Sequence, residues 1–158
     1  MSPAGRLVLL LSLAGAVTWA AAPERVEPVV FEEVAAARGL QFTTNSGRTA
    51  RRHQPETMVS GVALLDYDGD GRLDVYAVNG APIDGLRKAG PEYWNRLFHQ
   101  NADGTFTDVT EKAGVAGRGY DLGVVTGDYD NDGDPDIFVA GLRRNTLFRN
   151  NGDGTFRT

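Results

Sequence analysis

Short apolar runs, each closed by glycine, aspartate or asparagine, alternate along the chain from residue 60 onward. Val62 to Leu65 is the first and Val75 to Val78 the second. Leu97-Phe98 and Phe106 to Val109 follow, separated by Asp103-Gly104, a dipeptide suited to a hairpin turn. The pattern returns with Val124-Val125, Ile137 to Val139, Leu147-Phe148 and Phe156, and with Asp153-Gly154 at the turn. No segment carries a convincing helical period, and the runs are the length of strands rather than helices. They predict two copies of a unit made of four short β-strands.

The copies can be aligned residue by residue. Gly61 to Asp66 matches Gly123 to Asp128, and Asp74-Val-Tyr-Ala-Val matches Asp136-Ile-Phe-Val-Ala, both at an offset of 62 (128 − 66). Asn95 to Phe106 matches Asn145 to Phe156 at an offset of 50 (145 − 95). The missing 12 residues fall at Pro82 to Trp94, an extra loop in the first copy. Length changes in loops between intact strands mark a repeat architecture. The expected fold is all-β: a β-propeller of four-stranded antiparallel blades. About two blades are present, an incomplete ring, because propellers take about 4–8 blades.

A partial third copy stands at the start. Phe31-Glu-Glu-Val34 with Gly39-Leu40 matches Phe106-Thr-Asp-Val109 with Gly114-Val115. A lone outer strand before any first strand suits a ring closed by splicing the N-terminus into the last blade, which removes an exposed edge. At the other end, Phe156-Arg-Thr158 stops inside a fourth strand, so the chain is expected to be a fragment or an incomplete product of a longer protein. The expected divisions are a signal peptide over 1–20, a linker over 21–30, and the N-terminal strand and loop over 31–57. One repeat then covers 58–115 and a second, truncated, covers 116–158.

The signal assignment rests on Arg6, the apolar run Leu7 to Leu13, the small residues that follow, and Thr18-Trp-Ala20 as a cleavage site. The run is short for a membrane span, which needs about 20 residues. The expected location is secreted, periplasmic or cell-surface, with no transmembrane domain after cleavage. There is no cysteine, hence no disulfide framework and no lipid-bearing thiol.

Charge sharpens the picture because it is local. The chain has 16 Lys+Arg against 21 Asp+Glu, and nine of those acids lie in two loops. No basic patch suggests nucleic acid; Arg51-Arg52-His53 is too short. Asp66 to Asp74 and Asp128 to Asp136 both read D-x-D-x-D-G-x-x-D. Carboxylates this crowded repel one another unless a cation sits among them, and Ca2+ takes oxygen ligands from such loops. Asp66, Asp68, Asp70 and Asp74 would ligate by side chain and Arg72 by its carbonyl. Asp128, Asp130, Asp132 and Asp136 would do likewise, with the Asp134 carbonyl. Gly71 and Gly133 hold the turn, and Tyr67 and Tyr129 are expected to pack on the blades. An EF-hand is excluded, because Ala77 and Val139 stand where its bidentate glutamate belongs. Magnesium is disfavoured by its rigid octahedron, and zinc because neither loop offers His or Cys. The alternative is that Asp and Gly are only turn residues; two copies in register weigh against it.

Other residues carry less. Asn101 to Gly104 and Asn151 to Gly154 are better explained as hairpin turns than as cation ligands. His53 and His99 are read as solvated or strand-surface residues. Trp94 suits an interior anchor better than a sugar-stacking platform. No nucleophile–base constellation supports catalysis.

Pro55-Glu-Thr-Met58, Gly61 to Asp74, Asn95-Arg-Leu-Phe98 and Asp103 to Thr110 resemble the FG-GAP/VCBS repeat family. More closely, they are similar to the secreted ASPIC/UnbV-type bacterial relatives of cartilage acidic protein. The resemblance implies a seven-bladed propeller of the integrin-α kind, with calcium in loops joining first and second strands. The paired loops, the signal segment and the lack of catalytic groups make the expected function a secreted calcium-binding scaffold for an extracellular glycan or protein. The alternative is part of a calcium-dependent polysaccharide-active enzyme whose catalytic residues lie in other blades.

Overall fold

β-Branched and aromatic residues bounded by Gly, Asp and Asn form eight strands in two meanders. The structure, a computed structural model, describes residues 28–158; the expected signal segment and most of the linker lie outside the described residues. Backbone contacts divide the chain between Glu32 and Glu33, and the unit Glu33–Thr158 carries every strand found among the described residues.

The first sheet has β1 (Val62–Leu65), β2 (Asp74–Ala77), β3 (Arg96–Gln100) and β4 (Phe106–Asp108) in that order. The second repeats it with β5 (Asp121–Gly127), β6 (Asp136–Gly141), β7 (Thr146–Asn150) and β8 (Phe156–Arg157). All ladders are antiparallel: Leu65 faces Asp74, Val75 faces Phe98, and Ile137 faces Phe148. The match to the expected runs is close, and two four-stranded antiparallel sheets in tandem are a partial propeller. β5 is longer than its apolar run because Asp121 and Leu122 join it across a bulge between Asp121 and Gly123.

The core lies between the sheets. Leu65, Tyr76, Val78 and Leu97 from the first meet Ile137, Val139, Phe148 and Phe156 from the second, with Ala113 and Val115 from the connector. Each of the Val, Leu, Ile and Phe side chains contributes about 1.5–3 kcal/mol when fully buried. Tyr76 meets Phe148 edge-on, ring centres 6.5 Å apart. The innermost strands approach so closely that a Cβ on Gly61 would lie 3.1 Å from the Gly123 Cα.

A buried polar network joins the extra loop to the second sheet. Asn95 Nδ2 donates to the Tyr76 hydroxyl and to Asp121 Oδ2, each at 2.9 Å. Lys88, from the extra loop, lies 3.3 Å from Asp121 Oδ2 and donates to the carbonyls of Asn79 and Gly80. Every partner is satisfied, as groups this deep must be.

The connector after β4 makes one helical turn, α1 (Thr110–Ala113), closed by Gly114 in the left-handed region at φ +77°. Val115 N donates to Thr110 O at 3.2 Å and Ala113 N to Val109 O at 2.8 Å. The N-terminal segment repeats this geometry: Leu40 N donates to Ala35 O at 2.9 Å and Arg38 N to Val34 O at 3.0 Å, with Gly39 at φ +89°. The strand expected at Phe31–Val34 does not form, because no ladder partner is hydrogen-bonded to it among the described residues.

Candidate metal centres

Each acidic loop joins the first two strands of its sheet, β1 to β2 and β5 to β6. Their internal hydrogen bonds are the same. Asp66 Oδ1 and Oδ2 accept from the backbone N–H groups of Asp70 (3.0 Å) and Gly71 (2.8 Å). Asp128 accepts from Asp132 (3.1 Å) and Gly133 (2.9 Å). The third aspartate caps the turn in each, Asp70 accepting from Arg72 N and Asp132 from Asp134 N. Gly71 and Gly133 take φ +84° and +97°, as the expected turn positions require. Asn131 replaces Gly69 at φ +61°, a region asparagine tolerates.

The last aspartate of each loop is the most enclosed. Asp74 and Asp136 are buried at the head of β2 and β6. Asp74 accepts from Tyr67 N (3.1 Å) and Gln100 N (2.8 Å), and Asp136 from Tyr129 N (3.1 Å) and Asn150 N (2.8 Å). Burial pushes Asp74 above the usual carboxylate range, opposed by those two N–H donors.

The carboxylates converge. In the first loop Asp66, Asp68 and Asp70 bring oxygens within 4.8 Å of one another, and Asp68 and Asp74 do so with His99. In the second, Asp128, Asp130 and Asp136 converge likewise. Asp132 stands outside that group, drawn to Arg149. Arg72 and Asp134, expected to ligate through their carbonyls, join neither group by side chain. The Arg72 guanidinium turns back to Asp70 and to the Gln100 carbonyl.

Two residues from the third strands were missed by reasoning from the loops alone. His99 Nδ1 lies 3.3 Å from Asp68 Oδ2 and 3.2 Å from Asp74 Oδ1. At the matching place in β7, Arg149 puts Nε 2.6 Å from Asp130 Oδ2 and Nη2 3.0 Å from Asp132 Oδ2. His99 is therefore not a solvated strand-surface residue. Its place was recoverable: antiparallel pairing of Val75 with Phe98 puts Asp74 beside His99 on the next rung. The Arg149 guanidinium, by its hydrogen bond, holds Asp132 below the usual range, while partial desolvation raises Asp130.

The donor set fits a cation. Asp130 Oδ1 at the second centre and His99 Nδ1 at the first are enclosed yet without a hydrogen-bond partner. Such enclosed polar atoms are costly unless something satisfies them. The two acidic clusters could thus hold metal ions.

The remaining candidates separate cleanly. Asp103 and Asp153 accept from Thr105 and Thr155 inside their hairpins, bonds that hold both carboxyls below their ordinary range. They are turn residues. Trp94 is half-buried under the Arg96 guanidinium, which stands 5.6 Å from its ring centre. Tyr67 packs as expected, stacked on Phe156 at 6.2 Å, but Tyr129 is exposed because no third sheet stands beside it among the described residues. No helix among the described residues is long and apolar enough to cross a membrane.

A family model described as an FG-GAP-like repeat matches residues 66–139 and 128–158. Both matches begin on the first aspartate of an acidic loop. No curated protein matches the chain.

Proposed function

The chain belongs to the FG-GAP-like repeat family, and from that premise we propose that it is an extracellular calcium-binding propeller segment that serves as a scaffold for a glycan or protein ligand. The observation that carries this reading is the bond-for-bond identity of the two loops. Turn propensity alone explains a single Asp-Gly loop. It does not explain a second loop in the same register whose first aspartate takes the same two backbone donors and whose carboxylates are again gathered between the first two strands.

Asp66, Asp68, Asp70 and Asp74 would hold one ion, and Asp128, Asp130, Asp132 and Asp136 the other, with the Arg72 and Asp134 carbonyls in support. Bound calcium would neutralise part of each cluster and cross-link the first two strands of its sheet. The chain's own residues do the positioning. Tyr67 N and Gln100 N orient Asp74, while Gly71 N pins Asp66. On this reading the chain supplies binding surface and no catalytic group. The closer likeness to ASPIC/UnbV-type proteins belongs to the same proposal.

Calorimetric titration of the metal-stripped chain with Ca2+ tests it. Two equivalents and a raised melting temperature are expected; no heat and an unchanged melting temperature count against it. Glycan-array binding that vanishes on chelation would support the scaffold role, and binding indifferent to chelation would detach calcium from it.

A further inference from the structure

We propose that Asp68, Asp74 and His99 form a mixed nitrogen–oxygen site in the first loop, selective for a borderline divalent cation such as Zn2+, and that the second loop lacks this site because Arg149 stands in place of His99. This deepens, and presupposes, the reading of the loops as cation sites.

The three ligand atoms are already gathered. His99 Nδ1 is 3.3 Å from Asp68 Oδ2 and 3.2 Å from Asp74 Oδ1. Ligands on one tetrahedral zinc, with bonds of about 2.0–2.1 Å, lie about 3.4 Å apart. The two contacts are not hydrogen bonds: Nδ1 is enclosed and has no hydrogen-bond partner. The ring nitrogen thus stands within 4.8 Å of both carboxylate oxygens without being engaged by either, as a ligand atom awaiting a shared ion would.

The surroundings hold each ligand in place, as metal sites require. The Tyr67 ring stands edge-on to the imidazole, centres 5.9 Å apart and planes at 87°. Asp74 is fixed by Tyr67 N and Gln100 N. Nε2 faces Asp70 Oδ2 at 3.8 Å, the side that carries the ring proton when Nδ1 is the donor. Imidazole nitrogen favours zinc and its neighbours in the first transition row, whereas calcium takes oxygen. The ground on which zinc is disfavoured, the want of a histidine in the loop, thus does not hold at the first centre, because β3 delivers one.

The second loop is the internal control. The Arg149 side chain is a cation with no lone pair to give, and it contacts Asp130 and Asp132 directly.

Titration of the full, metal-stripped chain with Zn2+, and with Co2+ followed by visible absorption, tests this. One Zn2+ per chain is expected, with a Co2+ spectrum that indicates nitrogen ligation. His99→Ala should weaken Zn2+ by at least about tenfold and abolish the Co2+ spectrum, while both calcium equivalents remain. Arg149→His should add a second zinc equivalent; it is read independently, so a failure of His99→Ala to fold does not silence the test. Zn2+ binding unchanged in His99→Ala, or absent while Ca2+ binds, overturns the site. Zn2+ bound through His99 with no calcium heat supports this site and overturns the calcium reading alone.

Discussion

The side-chain amide of Asn150, in the third strand of the second sheet, donates to the backbone carbonyl of Tyr67, in the acidic loop of the first, across 2.8 Å. Its nitrogen also reaches the Pro135 carbonyl at 3.2 Å, and its oxygen accepts from Gly152 N. One buried amide thereby binds the first centre to the hairpin of the second sheet. Asn150→Ala leaves the Tyr67 carbonyl enclosed and unpaired, and should cost about 1–3 kcal/mol in urea unfolding. A midpoint equal to that of the unsubstituted chain would mean the bond carries nothing.

Lys88 ties the extra loop to the second sheet, and its charge should be visible in a stability profile. Burial pushes it from 10.5 down to about 8, partly offset by Asp121. The unfolded chain keeps this proton up to about 10.5, so above pH 8 the unfolded state binds more protons. The contribution of this group to stability therefore rises with pH over that window, by at most about 1.4 kcal/mol per pH unit. Tyr67, pushed up to about 12 by burial, acts in the opposite sense above pH 10, which leaves pH 8 to 10 for the lysine. Unfolding measured across that range should lose the rising limb in Lys88→Met; a limb that survives would assign it elsewhere.

The turn glycines can be tested without disturbing any packing. Nothing lies within 4 Å of a Cβ built on Gly71, whose φ is +84°. Gly71→Ala should cost about 1–2 kcal/mol by backbone strain alone, and should weaken calcium at the first loop only. Gly69→Asn copies what the second loop already holds at Asn131 and should be close to neutral in the same assay.

The strands and both loops were legible in the sequence because they depend on local signals. A short apolar run, an Asp-Gly turn and a D-x-D-x-D-G spacing are each written within about ten residues. The offset of 62 also puts Asp74 and Asp136 at matching places, each just ahead of an apolar run. What local signals could not supply was the third strand's side of each centre. His99 and Arg149 lie 25 and 13 residues from the last loop aspartates (99 − 74 and 149 − 136), and only the ladder register brings them together. Tyr129 was misread for a related reason. Its twin Tyr67 is buried by Phe156 of a neighbouring sheet rather than by anything near it in sequence. The N-terminal strand failed likewise, since a strand exists only as half of a pair, although the turn that follows it kept the geometry of its counterpart after β4.

The most direct measurement is the anomalous scattering of a crystal of this chain grown in calcium. Two peaks are predicted, one per acidic loop, each about 2.3–2.6 Å from carboxylate oxygens of Asp66, Asp68, Asp70 and Asp74 or of Asp128, Asp130, Asp132 and Asp136. Loops free of any peak at millimolar calcium, with Asp68 and Asp130 turned to solvent, would contradict the account.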